Sequence, residues 1–214
     1  MNFADFLLHS DAVSRVLALL LLALSVGSWV VILWKWRLLS RVMPDVRRSI
    51  AAFWQASAFD AARQQVAQFD RDGCVGPLLD ATLLPVGGTL AGAGDRHQQL
   101  TRVLRDSLQQ VVQRLQWGQL LLATAGSTAP FIGLLGTVWG IFNALTGMAE
   151  AGQITIDRVA GPVGEALVMT AAGLAVAIPA VLGYNLLGRR VAQVETLLEG
   201  FAHDLRALLT ERMD

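Results

Sequence analysis

The 214-residue chain is poor in the residue types that build enzyme and metal sites. Its one cysteine, Cys74, excludes a disulfide within the chain. Its three histidines, at positions 9, 97 and 203, are too scattered to ligate one metal ion. The glycine-rich segment 87–94 lacks the Gly-Lys-Ser/Thr ending of a phosphate-binding loop, so we interpret it as a connector between helices. We therefore expect no catalytic residue, no metal and no cofactor, and we do not expect an enzyme.

Charged residues are also scarce. They make up 16% of the chain, against ~25% in soluble domains, and the formal net charge is zero. No basic run with interleaved aromatic residues occurs, which argues against nucleic acid as a partner. Hydrophobic residues reach 54%. This composition is typical of a membrane protein in contact with lipid.

Three apolar runs, which together hold one charged residue, Glu165, are long enough to cross a bilayer. Residues 16–34 would form a helix of ~28 Å, close to the ~30 Å thickness of the hydrocarbon core. Residues 118–148 and 161–188 exceed that thickness. The sequence thus predicts an all-α membrane protein with three transmembrane helices and long cytoplasmic helical extensions.

Basic residues indicate the topology. No positive charge precedes position 15, so the first run does not resemble a signal peptide, and it ends in Trp-Lys-Trp-Arg at 34–37, an aromatic and basic interface anchor. Further basic residues follow the first and third runs, which places both segments in the cytoplasm by the positive-inside rule. The resulting segments are an external N-terminal segment (1–15), a cytoplasmic helical domain (35–117), an external loop (149–160) and a cytoplasmic C-terminal helix (189–214).

Helical periodicity predicts the remaining boundaries. No breaker is evident between residues 95 and 148, so we expect one continuous helix there. The third span is expected to begin at Gly161-Pro162 and to kink at Pro179. Apolar residues at 187, 191, 194, 198, 201, 205 and 208 form a heptad seam. That seam fits either packing within one subunit or packing between copies in a ring.

The second span is unusual because small residues interrupt it. Gly133, Gly136 and Gly140 recur along it, and small residues allow helix backbones to approach closely. A span that faced only lipid would be mostly leucine, isoleucine and valine. We therefore expect these glycines to pack against other helices in a pore wall, although Gly-x-x-x-Gly alone is a weak motif.

Glu165 is the one ionisable residue at the start of the third span, and a charge at membrane depth is a functional candidate. The alternative is an acidic residue in the first turn of a helix, wetted at the interface. Thr137 and Thr170 lie ~18 and ~14 Å below the external ends of their spans, at matched depth. Each threonine alone would bond back to its own helix carbonyl, but the pair beneath a carboxylate favours a proton pathway.

The second and third spans resemble the MotA/TolQ/ExbB proton-channel family, and most closely its ExbB-like members. The resemblance rests on Gly-Ser-Thr-Ala-Pro-Phe-Ile-Gly-Leu-Leu-Gly-Thr-Val-Trp-Gly-Ile-Phe-Asn at 126–143, Glu-Ala-Leu-x-x-Thr at 165–170 and Ala-Ile-Pro-Ala at 177–180. It implies that Glu165, Thr137 and Thr170 line the proton pathway. One departure affects Glu165, because the family usually has Pro-Gly-x-x-Glu where this chain has Gly-Pro-Val-Gly-Glu at 161–165.

The resemblance also implies partners and a location. It implies a homo-oligomer, a pentameric ring in the bacterial inner membrane, with an ExbD-like single-span protein in its pore and a TonB-like protein that reaches the outer membrane. The expected function is to conduct protons and thereby energise nutrient uptake. A TolQ-like role in envelope maintenance and, from another class, a passive membrane scaffold are the alternatives.

Overall fold

The computed structural model of the chain describes residues 11–83, 95–151 and 156–211, with side chains described over the same ranges except 150–159. The expectations for residues 1–10, for the connector at 87–94 and for the tip of the external loop lie outside the described residues. The described residues form six helices: α1 (Ala12–Gln55), α2 (Phe59–Phe69), α3 (Gly76–Leu83), α4 (Arg96–Gln116), α5 (Gln119–Ala151) and α6 (Ile156–Glu211).

Three of the helices, α1, α5 and α6, are long and apolar enough to cross a membrane. The described residues contain no strand. The predicted all-α fold with three membrane-spanning helices is therefore confirmed, and the chain is a multi-pass membrane protein.

The chain divides into two compact units. The first contains residues up to Trp34 together with Gly118–Leu186. Its core is an apolar cluster to which α1 contributes Leu17 and Leu21, α5 contributes Ala129, and α6 contributes Met169 and Val176. Each of the three helices thus buries one face against the other two and leaves large apolar side chains exposed elsewhere, as expected of helices that meet lipid or further protein.

The second unit contains Lys35–Trp117 and Leu187–Asp214. Six of the seven heptad positions on α6 are buried within this single chain, and the ring of Phe201 packs edge-on against Phe53 at 5.1 Å between centroids. Of the two interpretations left open by the sequence, the structure favours packing within one subunit. The buried heptad residues are Leu187, Val191, Val194, Leu198, Phe201 and Leu205.

The prediction of one continuous helix over residues 95–148 is wrong. α4 ends at Gln116 and α5 begins at Gln119. Gly118 lies between them with φ +80°, a left-handed conformation that glycine adopts without steric penalty and that commonly terminates a helix. The glycine is the breaker, hidden in the sequence because it opens a long uncharged run.

The third long helix begins earlier than the Gly161-Pro162 start that was expected. α6 starts at Ile156, so Pro162 lies in its second turn and removes one helical hydrogen bond without ending the helix. Pro179 also lies inside α6, where it deprives the carbonyl of Ala175 of its helical donor. The kink at Pro179 remains a prediction.

Candidate functional site

The candidate site lies where α5 and α6 approach most closely. A Cβ atom built on Gly133 would lie 2.6 Å from the carbonyl oxygen of Met169, and one built on Gly173 would lie 2.5 Å from that of Ala129. Any side chain at either position would collide with the backbone of the other helix. Gly136 and Gly140 continue this contact along α5, where added Cβ atoms would meet Met169 at 3.1 Å and Ala166 at 2.7 Å.

This close approach brings the two predicted threonines together. Thr137 on α5 is 7% exposed, and its hydroxyl is hydrogen-bonded to the hydroxyl of Thr170 on α6. The Thr137 hydroxyl also lies 3.1 Å from the carbonyl oxygen of Gly133 in its own helix and 3.0 Å from that of Ala166 in the other helix. The hydroxyl therefore combines the ordinary bond within a helix with a bond across the helix pair.

The hydroxyl groups of Thr137 and Thr170 have two protons between them, which is fewer than the acceptor oxygens within hydrogen-bond distance. In one arrangement Thr170 donates to Thr137, which donates to Ala166. In the other, Thr137 donates to Thr170, which donates to the Gly133 carbonyl oxygen at 3.4 Å. Both arrangements leave every hydroxyl proton bonded, so the pair can reverse its direction of donation. Reversal of this kind is what a proton relay along hydroxyl groups requires.

Glu165 lies one helical turn before Met169 and three residues after Pro162 on α6. Its side chain is exposed in the single chain and lines an open pocket with Gly136, Gly140 and Ala166. Within the described residues it forms no hydrogen bond or ion pair with either threonine. The structure thus places the carboxylate next to the glycine contact and leaves it available to groups outside this chain.

Sequence reasoning missed three residues near the same pocket. The carboxylate of Asp11, directly before α1, accepts hydrogen bonds from the indole nitrogen of Trp139 at 2.5 Å and from the amide of Asn143 at 3.1 Å. Its other oxygen accepts from the backbone N–H of Ser14 at 3.1 Å, as an N-cap residue does. The capping pattern of an aspartate before an apolar run was visible in the sequence, but its partners on α5 were not.

Lys35 requires a correction. The sequence suggested that it anchors the first span at the membrane interface, yet its side chain is fully buried and its ammonium donates to the backbone carbonyl of Leu115 in the last turn of α4. A helix C-terminus carries partial negative charge and unpaired carbonyls, so it is a favourable partner for a buried cation. Lys35 therefore ties α1 to α4 within the second unit.

The α5–α6 contact lies in a part of the chain that matches a known protein family. The MotA/TolQ/ExbB proton channel family matches residues 76–200, more than half of the chain and all of the α5–α6 contact. The chain belongs to this family. The matched residues include both paired threonines, Thr137 and Thr170.

Within the family the chain is ExbB-like. It is 41% identical over 208 residues to the biopolymer transport protein ExbB of Xanthomonas campestris pv. campestris strain B100, an alignment that covers 91% of this chain and 80% of the relative. It is 50% identical over 125 residues to ExbB of Neisseria gonorrhoeae, covering 58% and 57%. The Tol-Pal system protein TolQ of Haemophilus influenzae is 30% identical over 217 residues, covering 98% and 94%.

Proposed function

We propose that this chain conducts protons through the α5–α6 site and uses the proton-motive force to energise transport across the outer membrane. The hydrogen-bonded pair of Thr137 and Thr170 carries the proposal, because the pair crosses between two spans at the glycine contact and can reverse its direction. Glu165, exposed beside that contact, is the proton-carrying group. The chain performs no covalent chemistry and is not an enzyme.

The energy available per proton is sufficient for mechanical work only if several protons pass in one cycle. One elementary charge that crosses ~100 mV releases about 2.3 kcal/mol. A ring of identical subunits multiplies the number of Glu165 carboxylates that can take and release protons. We therefore propose a homo-oligomeric ring, a pentamer, in which α5 and α6 line a central pore and Gly133, Gly136 and Gly140 allow its wall to pack tightly.

Among the described residues of α5 and α6, Glu165 is the one carboxylate that lines the pocket, and its exposed side chain is available to a partner. We propose that a single-span, ExbD-like protein occupies the pore and offers the next ionisable group. A TonB-like protein would then deliver the work to the outer membrane. The expected location is the bacterial inner membrane, with the N-terminus in the periplasm and the C-terminus in the cytoplasm, as the distribution of basic residues indicates.

The test replaces the proton-carrying group without changing its shape. In cells that lack the native protein, Glu165→Gln is expected to abolish uptake that depends on the proton-motive force while the complex still assembles in the membrane. Glu199→Gln is the matched control, since Glu199 is exposed on the same helix and belongs to the second unit. Thr137→Val should also lose uptake, whereas Thr137→Ser keeps the hydroxyl and should retain most of it.

The outcome separates the candidate functions. Full uptake by an assembled Glu165→Gln complex would leave only the passive membrane scaffold. Because the chain is 30% identical to a TolQ protein over 98% of its length, a TolQ-like role is the second candidate. Complementation decides between them: an ExbB-like chain restores uptake in a strain without ExbB, whereas a TolQ-like chain restores envelope integrity in a strain without TolQ.

A further inference from the structure

A pocket of about 290 Å³ opens beside Glu165, between the start of α1, the second half of α5 and the start of α6. Its apolar walls are largely the glycines and small residues of the helix contact. Four polar side chains also line it: Asp11 directly before α1, Ser14 on α1, Asn143 on α5 and Glu165 on α6. The first unit is mostly apolar, so the meeting of polar side chains from three spans at one pocket is a specific feature of its packing.

One wall of the pocket is held in place by Asp11. Its carboxylate bridges Trp139 and Asn143, which lie one helical turn apart on α5, 128 and 132 residues away in sequence. The same carboxylate caps the first turn of α1 through Ser14. Asp11 therefore fixes the beginning of α1 against α5 at the pocket's edge.

Polar groups within a membrane need partners, and water can supply them only where a polar cavity admits it. Each water molecule occupies ~30 Å³ in the liquid, so the pocket has room for several. We propose that this pocket is a water-filled vestibule through which protons reach Glu165 from the external face, with Asp11 as the positioning residue that holds its wall.

This inference rests on the proposed function, since it supplies the entry route for the proton that Glu165 carries. A hydronium ion in the vestibule would give one proton to the Glu165 carboxylate and remain as water. Protons could enter within a single subunit, in addition to any route between this chain and a partner in the pore. The vestibule thus assigns a role to Asp11, Ser14 and Asn143.

Cysteine labelling tests whether the pocket holds water. The one native thiol, Cys74, is buried, so an introduced cysteine is the main reactive position. Ala144 lines the pocket, whereas its neighbour Leu145 does not and is 51% exposed elsewhere on α5. The probe is a trimethylammonium-ethyl methanethiosulfonate, which does not cross membranes and whose positive charge suits a pocket with two carboxyl groups.

In spheroplasts that carry the assembled complex, Ala144→Cys should be labelled at least tenfold faster than Leu145→Cys. Equal labelling rates for Ala144→Cys and Leu145→Cys, whether fast or slow, would overturn the inference. Either result would show that water does not reach the pocket more readily than it reaches the neighbouring surface of α5. The comparison does not depend on transport. If Glu165→Gln abolishes uptake but Ala144→Cys is not labelled, only the vestibule fails; if Glu165→Gln retains uptake, the proposed function fails whatever the labelling shows.

A second comparison tests the role of Asp11. Asp11→Ala and Trp139→Phe each remove the same hydrogen bond from opposite sides, so each should change the labelling rate of Ala144→Cys several-fold. The double variant should add little to Asp11→Ala, because that variant already lacks the hydrogen bond to Trp139. Independent, additive effects, or no effect of either, would show that Asp11 does not hold the vestibule wall.

Discussion

Replacing Gly133 by alanine is the sharpest test of the helix contact that creates the candidate site. The new methyl group would lie 2.6 Å from the carbonyl oxygen of Met169 and 3.1 Å from the Cα atoms of Thr170 and Gly173. These are backbone atoms and cannot turn aside as a side chain can. Because non-bonded carbon atoms settle at about 3.5–4.0 Å, α5 and α6 would have to separate by roughly 0.5–1 Å.

That separation has two measurable consequences. A gap of this size forfeits about a quarter to a half of each dispersion contact across the pair, and overpacking of this kind costs about 1–3 kcal/mol. The hydrogen bond from Thr137 to the carbonyl of Ala166, now 3.0 Å, would lengthen. At ~3.6 Å it would no longer be a hydrogen bond. We therefore expect loss of both stability and transport from one added methyl group.

The assay compares Gly133→Ala with Gly147→Ala on the same helix. A Cβ atom at Gly147 would meet nothing within 4 Å, so alanine there should leave stability unchanged or raise it slightly through helix propensity. Unfolding of the purified complex in mixed detergents gives the stability difference, and uptake in cells that depends on the proton-motive force gives the functional one. If the two variants behave alike in both measurements, the reasoning from close backbone approach is refuted.

Three further predictions concern the second unit and its boundary. Burial, with the nearby negative charge of Asp70, raises the pKa of the Cys74 thiol from 9.0 to about 12. The folded state therefore retains a proton that the unfolded state releases above pH 9, so the free energy of unfolding falls as the pH rises from 9 to 12. Thiol reagents at pH 8 should modify Cys74 only when the protein unfolds. Gly118→Ala should destabilise by about 1–2 kcal/mol through its left-handed φ, whereas Gly200→Ala, which meets nothing within 4 Å, should not. Asp70→Ala should lower the midpoint of thermal unfolding, because three backbone N–H groups, those of Cys74, Val75 and Gly76, would lose their acceptor.

The spans and the meeting of the two threonines were accessible to sequence reasoning because both depend on local regularities. An apolar run of sufficient length forms a helix in a membrane whatever surrounds it. Once α5 and α6 are taken as consecutive spans of opposite direction, the fixed rise per residue gives the depth of Thr137 and Thr170. The structure brings these two hydroxyls into contact. Their role in proton transfer, and that of Glu165, remains a proposal.

The break at Gly118 was predictable in principle and was overlooked. Arg114 in the last turn of α4 and a glycine two residues after Gln116 form the usual ending of a helix. The uncharged run that starts at the same glycine masked this signal, since hydropathy reports burial and not backbone conformation. Where two signals overlap in this way, the glycine is the better guide to where a helix ends.

Contacts between distant parts of the chain were beyond the reach of the sequence, and Lys35 shows why. A lysine at the end of an apolar run usually extends its ammonium to the headgroups, because no partner is available in the hydrocarbon. Here the last turn of α4, 80 residues away, offers the carbonyl of Leu115, and the ammonium is buried against it. The link from Asp11 to Trp139 has the same character across 128 residues. In both cases the partner lies on another helix far along the chain, so the charged side chain and its partner are identified only once the helices are packed together.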